Sequence, residues 1–587
     1  MKKKPAPAKK TKAPQQQRNL ALVNATGPRF ADWPIWAQTY DGDTWANQFI
    51  IRQRSRDLFQ TNPYFVSGAL QTCANTFGDT GMQLRMRIKE TEDRIVYAQD
   101  EKWALVEHER RWQKVLGWAA ERAGRAAPQY RLFERDDRGQ ATIQVGQPDI
   151  YACKVIQEAW AEWKEAQYCD VRGARDYNTL CQIRLVSAMR DGDHFIRMVR
   201  DPKVNKFGFS LQHINAELCD YWYNAQLSNG NVVRMGIEYQ WHSWGLGKPV
   251  AYYFLRQQPM DWQWSQPGMS GGIGNAGMYD RIPADQIIHY ARYTANDSTR
   301  PWPWCVSVFP KAWQLDKFEE AEVVAARVSA CKMAFLVSDL VPEGGFSQGA
   351  FPAESLPNPH KHRSMSAEPG SLQALDWGVK VQDWDPKHPT QNFESFRKGM
   401  VRSIAAGMPG STYSGLASDY ENINFSAGRL ERLNITEMWE LIQRFDITTA
   451  ERPIFESWLE MALMTGAIPL PFAKWQKKYA RRSSFQGKRW EGVDPMKESQ
   501  AAAMDIANKL TSRTRVCAGR AIDFDENLLE LAEEEMKITE LGMDPTTTAQ
   551  TPQPAEPDQD DQQDTGDQMD ETPKNGKKNG RRVTIRA

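Results

Sequence analysis

Residues 407–433 read GMPGSTYSGLASDYENINFSAGRLERL, a polar loop that runs directly into a long helix. Glycine, serine, asparagine and aspartate favour turns, and they crowd the first part of this stretch. From Ser426 the spacing of apolar residues predicts a helix that extends to Met464, with a kink or break at Pro453. Asn424 or Ser426 is suited to cap its N-terminus. No pair of groups in the loop resembles an acid, a base or a metal ligand, so its role must be sought outside catalysis.

The net charge and the cysteine spacing indicate which classes of protein this sequence fits. The 587-residue chain carries 74 basic and 74 acidic side chains, so its formal net charge is zero. This balance argues against coating nucleic acid by bulk electrostatics, although local patches remain possible. The eight cysteines form no CxxC pair, which favours reduced thiols in a cytosolic setting. No run of eighteen apolar residues occurs, so we predict no contact with a membrane.

Both ends of the chain have compositions that are typical of disorder. Residues 1–20 are rich in Lys, Pro, Ala and Gln, and they are predicted to be a disordered basic segment. Residues 543–587 begin with an acidic stretch and end in KNGKKNGRRVTIRA, which predicts a disordered tail whose charge changes from acidic to basic.

The chain between these ends alternates between helical and extended patterns, which predicts an α+β fold. Extended runs dominate residues 194–293. The stretch 315–339, LDKFEEAEVVAARVSACKMAFLVSD, is predicted to form one uninterrupted helix. Further helices are predicted over the following ranges: 101–124, 150–169, 391–407, 494–510 and 525–539.

Motifs for catalysis are missing from this sequence. It has no phosphate-binding GxxxxGK[ST], no HExxH and no GxSxG. The GxGxxG spacing in GGIGNAG does not follow a strand, so a surface loop is the better interpretation. Asp41/Asp43 and Asp191/Asp193 flank glycines and predict turns, with metal binding as a minor alternative. We therefore predict no catalytic residue, no metal site and no cofactor.

An ordered series of segments nevertheless resembles the phage portal proteins of the lambda family. The series begins with FIIRQRSRDLFQTNPYFVSGALQTCANTFGDTGMQLR at 49–85 and continues with RDGDHFIRMVRD at 190–201 and IPADQIIHYAR at 282–292. The loop-to-helix passage at 407–433 is the most specific match, and WEGVDPMKESQAAAMDI at 490–506 resembles the family's C-terminal signature. A glycine that is usual before the Pro-Trp near residue 301 is replaced or displaced here.

The resemblance implies a ring of about twelve copies at one capsid vertex, with double-stranded DNA passing through its centre. It also implies a portal fold with named parts. These parts are a wing (21–305 and, with the long kinked helix, 426–493), stem helices at 306–338 and 391–407, a clip (339–390), a tunnel loop (408–425) and a helical crown (494–542).

The tunnel loop contains no Lys or Arg between Met408 and Phe425. A basic loop repeated around a ring would release counterions and grip a moving duplex, whereas neutral groups can touch phosphates weakly. The residues predicted to line the DNA channel are Ser411, Thr412, Tyr413, Ser414, Ser418, Asn422 and Asn424. The residues predicted to form contacts between subunits are Arg429, Lys317, Glu320 and Arg327.

The resemblance further implies that the protein is not an enzyme, since the packaging motor is a separate ATPase. The implied partners are other copies of the chain, the large terminase subunit, the major capsid or scaffold protein, and a head-tail adaptor. The implied location is the portal vertex of the virion, after assembly in the host cytoplasm. Two alternatives remain open, a Mg²⁺-dependent DNA-processing virion enzyme and a carbohydrate-binding virion protein, the latter suggested only by the 22 tryptophans.

Overall fold

A computed structural model describes residues 40–541 except 80, 136–139, 257–278, 297, 331–333, 339–378, 384–392, 422, 491–494, 521 and 523. The predicted disordered ends, the GGIGNAG segment and most of the predicted clip therefore lie outside the described residues. The chain divides into two compact units. The larger comprises Met1–Leu105 and Leu132–Asn508, and the smaller comprises Val106–Arg131 and Lys509–Ala587.

Helices and strands alternate along the chain, which confirms a mixed helix-and-strand fold. The helices are α1 (Tyr40–Thr61), α2 (Pro63–Thr76), α3 (Gln99–Arg122), α4 (Ile150–Trp163), α5 (Ala166–Cys169), α6 (Tyr177–Asp191), α7 (Phe309–Ala330), α8 (Phe393–Gly407), α9 (Tyr413–Ala417), α10 (Phe425–Asp446), α11 (Arg452–Met464), α12 (Pro495–Ala507), α13 (Arg513–Gly519) and α14 (Phe524–Glu540).

The strands pair with neighbours that are mostly close in sequence, and every pairing between them is antiparallel. The strands are β1 (Gln83–Met86), β2 (Arg94–Val96), β3 (Glu134–Arg135), β4 (Ala141–Ile143), β5 (Asp193–Arg200), β6 (Phe209–Ile214), β7 (Ala225–Gln226), β8 (Val232–Arg234), β9 (Ile237–His242), β10 (Gly245–Leu255), β11 (Tyr279–Pro283), β12 (Ile287–Ala291), β13 (Ala334–Ser338), β14 (Val379–Asp383) and β15 (Ser483–Gln486).

The extended region predicted at 194–293 forms two of the sheets. One has the strand order β11-β10-β9-β8-β7, and the other has the order β12-β5-β6. The smaller sheet packs against α6 and α11, so its inner side is buried, whereas outer positions of the larger sheet such as Trp241 are exposed. A one-sided core is what alternating apolar and polar residues in antiparallel strands favour.

Aromatic packing holds the centre of the larger unit together. Trp160 and Trp163 of α4 stack with ring centroids 4.8 Å apart, and Trp458 of α11 meets Trp160 edge-on at 4.9 Å. The indole of Trp163 also donates a hydrogen bond to the carbonyl oxygen of Phe209, at 2.9 Å. All three tryptophans are buried, so at these positions the large apolar ring serves the core.

The helix predicted at 315–339 is too long at its C-terminal end. α7 ends at Ala330, and Ala334–Ser338 instead forms β13, which pairs with β14. Phe335 lies opposite Gln382, and Leu336 lies opposite Val381. The apolar spacing continues across Ala330, but the hydrogen-bonding partner for an extended AFLVS comes from a segment more than forty residues later, which local periodicity does not reveal. The helix predicted at 391–407 is present as α8.

A π-helical segment interrupts the long helix that was predicted from Ser426 to Met464. Ile447–Glu451 connects α10 to α11, and Pro453 lies in the first turn of α11. The fully buried Arg184 of α6 donates to Asp446 at 2.6 Å and to Glu451 at 2.5 Å. The π-helical turn brings side chains five residues apart onto one guanidinium, which explains why the break precedes the proline.

Glu451 is the second carboxylate in this cluster, and its burial disfavours the ionised form. Burial raises the pKa of Glu451, although the neighbouring Arg184 guanidinium acts to lower it. The hydroxyl of Tyr177 donates to Glu451 at 3.0 Å, and that of Tyr290 donates to Asp446 at 2.9 Å. These contacts join α6, β12 and the π-helical segment in one buried network.

The smaller unit has its own contacts. Arg111 of α3 forms an ion pair with Glu533 of α14 at 2.8 Å, and Leu529 and Met536 of α14 are buried. Within the predicted crown, α13 is a helix that the sequence patterns did not indicate, and α12 belongs to the larger unit.

We predict that Arg184→Met lowers the free energy of unfolding by about 3–5 kcal/mol, because it leaves two buried carboxylates without their cation. Arg452→Met is the matched control, since Arg452 is exposed beside the same π-helical segment and should change stability by no more than about 0.5 kcal/mol. Urea unfolding followed by tryptophan fluorescence measures both. Equal effects from the two variants would contradict the role of the buried network.

Candidate functional site

The polar loop between α8 and α10 is held in place by hydrogen bonds from α2 and α10. The indole nitrogen of Trp439 on α10 donates to the carbonyl oxygen of Gly410 at 2.9 Å. From α2, the Gln71 amide donates to the carbonyl oxygen of Gly415 at 2.8 Å, and the Thr72 hydroxyl donates to that of Pro409 at 3.2 Å. The first half of the loop is therefore fixed between α2 and α10.

Two glycines permit this close approach. A Cβ atom on Gly68 of α2 would lie 2.0 Å from the sulfur of Met408, which is impossible without movement. Gly410 has φ of +81°, and a Cβ there would lie 3.0 Å from the Thr72 hydroxyl oxygen. Glycine is needed at Gly410 both for its left-handed backbone and for the space.

Several hydroxyls that were predicted to line a channel point into the protein instead. Ser411 and Ser414 are buried, with exposed fractions of 8% and 4%. The Ser414 hydroxyl donates to Glu431 at 2.6 Å, and the Thr412 hydroxyl accepts the backbone N–H of Gly415 as the N-cap of α9. The local sequence could not show this, because the loop is buried by α2 and α10. The hydroxyls of Thr412 and Ser414 thereby stabilise the first half of the loop.

The second half begins where α9 ends. Tyr413 donates its hydroxyl to Asp419 at 2.6 Å, and this hydrogen bond lowers the pKa of the Asp419 carboxyl. Lys398 lies 3.6 Å from the same carboxylate, and the Arg402 guanidinium lies over the Tyr413 ring. Asp419 is thus an acid that remains ionised and already has partners.

Most described side chains on either side of Asp419 in this half of the loop are open to solvent. Ser418, Glu421 and Asn424 are exposed, and Tyr420 has an exposed fraction of 64%. We call 408–417 the loop base and 418–424 the loop tip. Asn422, one of the predicted channel residues, lies outside the described residues.

The predicted cap on the long helix is confirmed. The side chain of Asn424 accepts the backbone N–H of Ala427 at 2.8 Å, which satisfies one of the first donors of α10. Arg429 lies in the second turn and is exposed. A cleft of about 470 Å³ runs beside it, between the loop, α2 and α10, and Arg432 also lines this cleft.

The two predicted stem helices pack against each other. Phe318 of α7 meets Phe396 of α8 with ring centroids 4.9 Å apart, and Arg397 donates to Glu319 at 2.8 Å. Val323 and Val324, further along α7, are half exposed. Apolar side chains are therefore left uncovered on this helix pair within one chain.

Of the residues predicted to join subunits through α7, Lys317 and Glu320 are paired with each other within the helix, at 2.8 Å. Within one chain, Lys317 and Glu320 therefore already pair with each other, and neither charge lacks a partner that a neighbouring subunit would have to supply. Arg327 is exposed.

Acidic groups considered as metal ligands have other partners. Asp191 accepts from Arg56 at 2.8 Å, and Asp193 accepts from Arg52 and Arg300 at 2.7 Å. Burial acts to raise the pKa of the Asp193 carboxyl, but the Arg300 and Arg52 guanidiniums hold this pKa well below its usual range.

Asp41 accepts from the backbone and hydroxyl of Thr299, at 2.7 and 2.6 Å. In the described part of the chain, the one cluster with metal-ligand spacing is Glu90, Glu101 and Asp149. Lys478 contacts Glu90 and Asp149 at 2.8 and 2.5 Å, and Arg94 contacts Glu101. Each of these carboxylates is therefore already paired with a side-chain cation.

We predict that Gly410→Ala destabilises the loop base by about 1–2 kcal/mol, because alanine disfavours the left-handed backbone. The expected result is faster cleavage of the native protein within 408–424 by a low dose of chymotrypsin. Gly399→Ala is the control, because a Cβ there meets nothing within 4 Å and α8 gains helix propensity. Equal cleavage rates would show that the base does not depend on Gly410.

Comparison with known proteins gives a consistent result. Residues 26–443 match the family described as phage portal protein, lambda family. The chain is 29% identical over 417 residues to the probable portal protein of Halomonas phage phiHAP-1, an alignment that covers 69% of this chain and 74% of the relative. It is 22% identical over 442 residues to portal protein B of Escherichia phage lambda, covering 69% and 78% of the two chains.

A chain from the neck of an empty GTA particle, computed with C6 symmetry, aligns with 86% of this chain and 98% of its own length. That alignment has a TM-score of 0.36 and 11% sequence identity. None of the described helices has both the length and the apolar character needed to cross a bilayer. The family match covers most of the chain and includes the loop and the first five turns of α10, so the chain belongs to the lambda family of phage portal proteins.

Proposed function

We propose that copies of this chain form a ring at one vertex of a phage head and that double-stranded DNA passes through the ring. Membership of the portal family is the main support. The half-exposed Val323 and Val324 on α7 also support assembly, since apolar side chains on a helix pair are commonly covered by a neighbouring subunit.

The property of the loop that suits it to a channel is its charge. From Met408 to Phe425 it has no Lys or Arg, and its exposed tip offers Ser418 and the acidic Glu421. A duplex carries about one negative charge per 1.7 Å along its axis, so even one cation per subunit would accumulate into strong binding around a ring. We propose that the tip faces DNA through Ser418 and the neighbouring amides while its base is fixed by α2 and α10.

The remaining parts of the portal fold are assigned in the same way. We assign the wing to 21–305 and 426–493, the clip to 339–390 and the crown to 494–542. We assign the stem to α7 and α8, with its first helix ending at Ala330. The polar pairing of Arg397 with Glu319 would hold the two stem helices in register.

The proposed partners follow from this position in a virion. The clip would contact the large terminase subunit during packaging and a head-tail adaptor afterwards, and the wing would contact the major capsid or scaffold protein. Assembly would take place in the host cytoplasm. The motor would belong to the terminase, since this chain has no phosphate-binding GxxxxGK[ST].

The alternative of a Mg²⁺-dependent DNA-processing enzyme has less support. The family is one of structural portal proteins, and the acidic cluster of Glu90, Glu101 and Asp149 is paired with Lys478 and Arg94. Incubation of the purified protein with plasmid DNA and Mg²⁺ tests it directly. Cleavage that Glu101→Gln abolishes would favour the enzyme.

We predict that Ser418→Lys slows DNA packaging at least severalfold, because it adds one cation per subunit to the proposed lining. The defect should diminish as the salt concentration rises, since salt screens the added charge. Ser418→Gln is the control, with a long neutral side chain at the same backbone position. In vitro packaging into empty heads, measured as nuclease-protected DNA, distinguishes the two variants. Equal packaging by both would contradict a low-friction lining.

A further inference from the structure

The loop tip and the start of α10 carry opposite charges that form no ion pair among the described residues. Glu421 is exposed at the tip, and Arg429 and Arg432 are exposed on α10. Across the described residues, none of these three side chains has an oppositely charged group within 4 Å. The Arg432 guanidinium lies over the Trp439 ring, which holds it at the wall of the cleft.

Exposed apolar side chains accompany these charges. Tyr420 and Phe425 are 64% and 59% exposed near the tip, and Leu430 and Leu433 are 60% and 58% exposed on α10. Leucines three residues apart lie on one side of a helix, and here they alternate with the arginines. Large aromatic and leucine side chains in such numbers are typical of a protein contact surface.

We propose that the loop tip of one copy docks on the arginines of a second copy, with Glu421 facing Arg429 and Arg432. Tyr420 would pack beside Leu430 and Leu433 of that second copy. This inference rests on the proposed ring, and it assigns the contact that joins successive loops around the opening.

The presence of two chemically different patches on each chain favours a ring contact over a two-fold symmetric dimer. A two-fold dimer uses the same patch on both partners, whereas a ring uses two different patches that match each other. The tip presents the acid Glu421, and α10 presents Arg429 and Arg432 at the cleft wall with Leu430 and Leu433 exposed on the same helix, so each chain carries both charges of the contact.

The charges also favour a second copy over DNA as the occupant. A phosphate backbone would attract Arg429 and Arg432, but Glu421 would repel it. Phosphate groups would also leave the apolar surface of the exposed leucines uncovered. A neighbouring tip satisfies all of them. The arginines would then be paired within the ring and would not grip the duplex.

The test uses the full chain and charge reversal. Glu421→Arg puts like charges into the contact, and so does Arg429→Glu. Each should raise the protein concentration needed for assembly about tenfold or more, as measured by sedimentation velocity. The double variant Glu421→Arg with Arg429→Glu should assemble within about threefold of the unaltered chain. Arg444→Glu, the same charge change on exposed α10 surface further along the helix, is the control.

Mixing the two single variants separates contact between chains from contact within one. In an alternating ring, the arginine tip of one variant meets the glutamate cleft of the other, and the glutamate tip of the second meets the arginine cleft of the first. An equimolar mixture should therefore assemble where each variant alone does not. Rescue by mixing is impossible if Glu421 pairs with Arg429 of its own chain.

The outcomes are distinguishable. An unaltered chain that assembles, together with single variants that assemble equally well, overturns this contact and leaves the proposed ring standing. An Arg429→Glu variant that assembles normally but binds duplex DNA more weakly shows that the arginines serve DNA, which also overturns it. An unaltered chain that stays monomeric overturns both the ring and the contact.

Discussion

The buried ion-pair network around Arg184 is the constraint on which the position of the loop depends. Arg184 binds Asp446 and Glu451 on either side of the π-helical segment, and α11 is anchored in the aromatic core through Trp458. The direction of α10 is thereby set at its C-terminal end. Trp439, about two turns nearer the loop, then holds Gly410. A chain of direct contacts therefore runs from the core to the loop base.

This arrangement divides the loop into parts with different physical tasks. In the loop base, the Ser414 hydroxyl donates to Glu431 and the Thr412 hydroxyl caps α9. These hydrogen bonds turn the hydroxyls away from solvent and fix the backbone. The tip keeps Ser418, Tyr420 and Glu421 exposed. Under the proposed function, a fixed base would hold the DNA-facing tip in position while the duplex moves past it.

Sequence patterns predict the elements whose causes are local. The helix at 391–407 and the Asn424 cap depend on residues a few positions apart, and both are confirmed. The burial of Ser414 requires α2, more than three hundred residues away in sequence, and β13 requires β14. The π-helical segment requires Arg184 of α6. Contacts between distant segments decide these features, so propensity and periodicity could not predict them.

The central claim is that many copies of this chain surround an opening lined by loop tips that do not grip DNA. Cryo-electron microscopy of the purified full-length protein tests it most directly. The account predicts a perforated ring in which residues 418–424 of every subunit approach the central axis more closely than any basic side chain of α10. Single particles without an opening, or rings whose opening is lined by Arg429 and Arg432, would contradict it.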